Sequence, residues 1–215
     1  MSFNEDRGRL KRLWAVLASP TSRYSVGTLL VGGIVLGIVL WGGFNWSMEA
    51  TNNEQFCISC HEMEANPYKE YRGSVHELNA SGVQASCPDC HVPKEWVHKV
   101  VRKVRATNEL FHKMIGTIST RQEYKEHRLA MAKDVWGTML STDSRECRNC
   151  HNFKAMDFYE QERRAADRHR EAEEKGMTCI QCHQGVAHNL PEGTDEAFEK
   201  LEKSLGMKKT GDGEA

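Results

Sequence analysis

Cys57-Ile58-Ser59-Cys60-His61, Cys87-Pro88-Asp89-Cys90-His91, Cys147-Arg148-Asn149-Cys150-His151 and Cys179-Ile180-Gln181-Cys182-His183 decide the architecture, because these four motifs use all 8 cysteines of the chain. Two thiols three positions apart can form thioethers with the two vinyl groups of one haem, and the adjacent histidine is placed to ligate the iron. Structural zinc also uses paired Cys-x-x-Cys, and disulfides or redox dithiols use single pairs. None of these accounts for a histidine directly after every pair. The motifs therefore predict four covalently attached haem c groups, bound through Cys57, Cys60 and His61, through Cys87, Cys90 and His91, through Cys147, Cys150 and His151, and through Cys179, Cys182 and His183.

Upstream of the first motif, residues 24–46 carry no charge and form an apolar run long enough to cross a bilayer as one helix. Tyr24 at one end and Trp41 and Trp46 at the other are the aromatics expected at the two interfaces. A cleavable signal would have a shorter apolar run ending in small residues, whereas this one ends Phe44-Asn45-Trp46-Ser47-Met48-Glu49. An uncleaved single-pass anchor is expected. Arg7, Arg9, Lys11, Arg12 and Arg23 precede it and Glu49 and Glu54 follow, so the positive-inside rule keeps 1–23 in the cytoplasm and the remainder in the periplasm of a bacterial inner membrane. That compartment suits c-type haem attachment. Gly33-x-x-x-Gly37 is a small-residue spacing through which spans pair, which leaves a homodimer open.

Downstream, the motifs form two pairs, with Cys57 and Cys87 separated by 30 positions and Cys147 and Cys179 by 32. This spacing predicts two dihaem repeats, about 54–98 and 144–191, within a periplasmic domain of 47–191. His76 lies 11 residues before Cys87 and His169 lies 10 before Cys179, and matching places imply matching roles as second axial ligands. His188, five residues after His183 behind Gly185, is a third candidate. Its counterpart after His91 would be Lys94 or His98, neither at the same offset. His112 and His127 sit between the halves and read as packing or surface residues.

Residues 95–140 give a helical pattern broken near Gly116, and 160–175 read as a solvated, charged helix. Strand signals are scarce, so the fold class is all-α with much irregular chain, each motif lying on a short helix or turn. With 39% hydrophobic residues the protein core is modest, and haem faces are expected to supply the rest. Residues 192–215 read as a flexible charged tail. The net charge of −1 gives no support for nucleic acid as a partner.

The anchor, the four motifs and the phrases Cys57-x-x-Cys-His-x-Met63, Cys87-Pro-Asp-Cys-His-Val-Pro93, Glu146-Cys-Arg-Asn-Cys-His151-Asn-Phe and Cys179-Ile-x-Cys-His-x-Gly-Val-Ala-His188 resemble the NapC/NirT family of membrane-anchored quinol dehydrogenases. The resemblance is greatest to the branch serving periplasmic nitrate reductase. It implies oxidation of a membrane quinol, menaquinol or ubiquinol, at the surface of inner-membrane lipid, with electrons passed to a periplasmic reductase. It implies that Met63 ligates the first iron, that Lys103 lines the quinol site, and that Glu109 is the nearest candidate for the accompanying carboxylate. The distal ligand of the second haem varies in the family, which leaves Lys94, His98 or a partner residue. The resulting metal ligands are Met63, His76, His91, His151, His169, His183 and His188. An electron relay between other redox proteins, with no quinol site, would carry the same haem motifs.

Overall fold

The computed structural model describes Gly8, Lys11, Arg12, Tyr24 and residues 26–207. Arg7, Arg9 and Arg23 of the basic segment, and 208–215 of the expected tail, lie outside the described residues. The chain divides into two compact units, Met1–Glu49 and Ala50–Ala215.

The first unit holds all but the last residue of α1, Val26–Ala50, which continues a turn past the end of the charge-free run. At 1.5 Å per residue its 25 residues extend about 37 Å, more than the hydrocarbon thickness of a bilayer. Leu29, Ile34, Ile38, Leu40 and Trp41, spread around the helix, are all exposed, whereas Met48 near its end is buried. It is long and apolar enough to cross a membrane.

The second unit is helical, with no strand among the described residues. Its longer helices are α2 (Trp96–Met114), α3 (Arg121–Ser141), α4 (Arg163–Lys175) and α5 (Thr194–Ser204). The break between α2 and α3 falls where Gly116 adopts φ 70°, which L side chains rarely adopt. α3 then starts with a reciprocal cap: Glu123 N–H donates to Thr120 Oγ1 at 3.2 Å, and Thr120 N–H donates to Glu123 Oε2 at 2.9 Å. The motifs lie on the short helices Glu54–Ile58, Cys87–His91 and Arg145–Arg148 and on the 3-10 turn Cys179–Gln181.

The core is small and local. Trp136 and Leu140 of α3 pack with Ile180 of the fourth motif and Phe198 of α5, flanked by Leu129, Ala132, Met139, Leu201 and Met207. Trp136 and Phe198 meet edge to face with ring centres 5.5 Å apart. This corrects the expectation of a flexible tail from 192: Thr194–Ser204 is a helix with Thr194, Phe198 and Glu202 buried. Phe198, Leu201 and Leu205 recur at helical spacing among the charges, and that stripe docks the segment. It also places a protein core beside the fourth motif.

Candidate cofactor and substrate sites

The motif cysteines meet in pairs. Cys57 hydrogen-bonds Cys87, and Cys147 hydrogen-bonds Cys179, so the leading cysteines of motifs one and two touch, as do those of three and four. As free thiols, Cys57 is lowered to about 7 and Cys179 to about 6 by these contacts, against the opposing effect of burial. The turns carrying them are fixed by side chains. Ser86 N–H and Oγ both donate to Asp89 Oδ2, at 2.9 and 2.7 Å, at the start of the second motif. The third and fourth motifs are joined through Ser144, which is fully buried, bonds the Thr178 hydroxyl and accepts from Ile180 N–H at 3.1 Å. Ser144 and the preceding Asp143 both adopt left-handed backbone, φ 48° and 52°. Gln181 then donates to the buried Glu202 of α5 at 2.8 Å.

Three of the four motif histidines face a second imidazole. Ring centres are 6.3 Å apart for His91 and His188, 6.2 Å for His151 and His76, and 6.1 Å for His183 and His169. Two imidazoles that each held one metal ion through a nitrogen bond of about 2 Å would stand with ring centres about 6 Å apart. By that separation each of the three pairs would have room for one iron between its rings. Burial, then the charge of His188 and Arg102, lowers His91 to about 4; burial likewise lowers His183 and His188, so these rings stay in the neutral form that a metal requires. The buried Nδ1 of His76 has no hydrogen-bond partner among the described residues, which leaves that ring nitrogen uncommitted to any protein group. No group of three or more His, Cys, Asp or Glu converges on a common ion site among the described residues, so a shared tetrahedral zinc lacks its ligands.

The pairing does not follow the order of the chain. His76 faces the third motif rather than the second that it precedes, whereas His169 faces the fourth, which directly follows it. His188 faces His91, while Lys94 just before α2 and His98 in its first turn, the candidates for that place, are both exposed. The physical reason is that helices α2 and α3 return the chain past the first half before motif four is made. His76 is held by its loop, where Ala85 N–H donates to its carbonyl at 2.9 Å and Tyr71 Oη donates to the Ala85 carbonyl at 2.8 Å. His169 Nδ1 lies 2.6 Å from Gln161 Oε1, which orients the ring; Gln161 carries no motif that sequence reasoning could have used. His112 and His127 bond within their own helical neighbourhoods, to Thr117 Oγ1 and the Glu123 carbonyl.

The first motif differs. No second imidazole faces His61 among the described residues; its ring lies 2.7 Å from Glu62 Oε2, and Lys113 of α2 donates to the same carboxylate. Met63 is 42% exposed, two residues along the same turn. Lys103 Nζ reaches back from α2 to the chain just before this motif, donating to Thr51 O at 2.6 Å and to Thr51 Oγ1 at 3.1 Å, 6.0 Å from the centre of the Phe56 ring. Glu109 is bound by another side chain of the same helix. Its exposed carboxylate is paired with Arg102 at 2.9 Å, and Arg102 Nε donates to the His91 carbonyl at 3.3 Å. Glu62 and Lys113 are the ionised pair that the structure brings to His61, and the sequence reading passed over both.

A family profile described as NapC/NirT cytochrome c family, N-terminal region, matches residues 19–193. The chain is 53% identical over 185 residues to "Denitrification system component NirT" of Stutzerimonas stutzeri, covering 86% of this chain and 92% of that protein. It is 53% identical over 191 residues to "Cytochrome c-type protein NapC" of Escherichia coli K12, covering 88% and 95%. It is 45% identical over 183 residues to "Putative tetraheme cytochrome-c type" of Allochromatium vinosum, covering 84% and 97%.

Proposed function

Because this chain belongs to the NapC/NirT cytochrome c family, we propose that it is a membrane-anchored tetrahaem cytochrome that oxidises membrane quinol and passes the electrons to a periplasmic reductase. Nitrate reductase is the first candidate acceptor, on the resemblance to the NapC branch. The observation that carries the reading is the asymmetry of the motifs. Three are matched by facing imidazoles, as suits irons that only carry electrons, and the first, which is not, has Lys103 beside it.

Two dihaem units, about 54–98 and 144–191, are supported by the Cys57–Cys87 and Cys147–Cys179 contacts. His91 and His188, His151 and His76, and His183 and His169 would hold the second, third and fourth irons, with Met63 at the first. When bound, the haems supply one-electron steps whose potentials follow ligand identity, burial and nearby charge.

A quinol must lose two protons as well as two electrons. Lys103 donates a hydrogen bond to a quinol oxygen and stabilises negative charge developing there. Glu109, by giving up its pair with Arg102, or water accepts a proton as each electron leaves, so that both quinol protons are taken up. α2 presents Val97, Val101, Val104, Leu110 and Phe111 outward beside Lys99 and Arg105, a composition suited to lying on inner-membrane lipid. The anchor belongs in a bacterial inner membrane with 1–23 cytoplasmic. Gly33 and Gly37 of α1 have open space around them, which admits a second copy of the span.

Purified holoprotein in detergent tests the reading. Reduction of the haems by a quinol analogue supports quinol oxidation. Reduction by a protein donor alone would instead establish the relay.

A further inference from the structure

One ionic cluster joins three distant parts of the chain. Glu70 lies on the short helix Lys69–Tyr71 after the first motif, Arg128 lies in α3, and Asn189 directly follows His188. Arg128 Nη1 donates to Glu70 Oε1 at 2.6 Å, and Arg128 Nη2 donates to Glu70 Oε2 and to the Asn189 carbonyl, both at 2.5 Å. Asn189 N–H completes the ring of contacts, donating to Glu70 Oε2 at 3.0 Å. Both backbone groups of Asn189 are thus held by one carboxylate–guanidinium pair. The two side chains are only 16% and 18% exposed, and Arg128 also lies 5.6 Å from the centre of the Tyr124 ring.

A forked guanidinium fixes a plane and two directions, which a single-point ammonium does not. Burial disfavours the ionised Glu70, and the Arg128 guanidinium and Asn189 N–H outweigh it, holding the carboxyl below its usual range. The contact reaches across 58 residues to Glu70 and 61 to Asn189. A metal bond of about 2 Å tolerates displacements of only a few tenths of an ångström, so a loop carrying a ligand must be held.

We propose that Glu70 and Arg128 are positioning residues for the second haem, gripping the backbone of Asn189 so that His188 stands opposite His91. The proposal rests on His91 and His188 being the two axial ligands of one iron, and the reference variant below tests that reading separately.

The experiment uses full-length holoprotein in detergent, with the oxidised spin state read by electron paramagnetic resonance and optical spectra. Arg128→Leu keeps the apolar stem and removes the fork; it is expected to convert up to one haem in four to high spin, and added free imidazole should restore the low-spin signal by filling the lost ligand position. Arg128→Lys and Glu70→Gln, each keeping part of the contact, should show the same imidazole-reversible signal at lower amplitude. His188→Ala is the reference. If it leaves every haem low-spin, the axial-ligand reading fails. If it gives the high-spin signal while Arg128→Leu and Glu70→Gln keep wild-type spectra and an unchanged potential for the second haem, the positioning proposal is overturned. Should Arg128→Leu fail to mature with four haems, Glu70→Gln decides by the same criteria.

Discussion

Replacing Lys103 with leucine removes one ammonium and little volume. In the structure that ammonium donates to Thr51 O at 2.6 Å and Thr51 Oγ1 at 3.1 Å, a link between α2 and a point 52 residues earlier. Losing it costs about 1 kcal/mol of folding stability, since Thr51 can turn to water, so the variant remains folded. The effect on the reaction is larger. A hydrogen bond from a charged donor contributes about 1.5–3 kcal/mol, and one made to a quinol oxygen as charge develops there lowers the rate by roughly 10- to 150-fold when removed. Stopped-flow reduction by a quinol analogue measures this, with dithionite as the reference that bypasses the site. The expected result is a slowed quinol phase, unchanged dithionite reduction and unchanged spectra for all the haems. Lys99→Leu, one turn earlier on α2, is the control and should alter membrane association at most. Rates within twofold of wild type for Lys103→Leu, or equal losses in both variants, would refute the contact.

Phe198→Ala should destabilise the second unit by about 3–5 kcal/mol, because the ring is 5% exposed and packs on Trp136; a denaturant midpoint like wild type would return this segment to a loose tail. Met63→Ala should alter the first haem alone and reduce quinol oxidation, leaving three low-spin bis-imidazole signals; a change in those three instead would count against Met63 as a ligand. The Glu70 carboxyl is held below its unfolded value of about 4.3, so its stabilisation is fully present above that pH and is lost as pH falls through the folded value. Wild type should therefore lose stability more steeply than Glu70→Gln on acidification below about pH 4.3, and parallel curves would show that the carboxylate contributes nothing.

The covalent chemistry was legible because it is local: a haem attachment motif is five consecutive residues, and four of them leave no cysteine for another purpose. The long apolar helix α1 was legible for the same reason, as an unbroken charge-free run. The helices flanking Gly116 followed from periodicity. The pairing of the imidazoles did not, because which ring meets which is set by how α2 and α3 return the chain, and equal offsets within a repeat carry no information about that return. His76 shows the limit: its spacing identified it as a ligand candidate, while its partner, His151, lies 75 residues away. α5 was missed although its signal was present, since Phe198 and Leu201 are outnumbered by charges on the solvent side. Glu70, Arg128 and Gln161 belong to no motif and become visible only through the contacts they make.

The ring pairs cross between the two halves in a reciprocal way. The first half sends His76 to the third motif, and the second half sends His188 to the second. This is the arrangement of a domain-swapped dimer written into one polypeptide, each half lending the other a ring it cannot supply itself. Cutting the chain at the Gly116 turn would yield two fragments with different deficits: 50–116 would lack the ring opposite His91, and 117–207 would lack the ring opposite His151 yet keep the His183–His169 pair whole. Neither fragment is a smaller version of the parent, and only their recombination restores both crossed pairs.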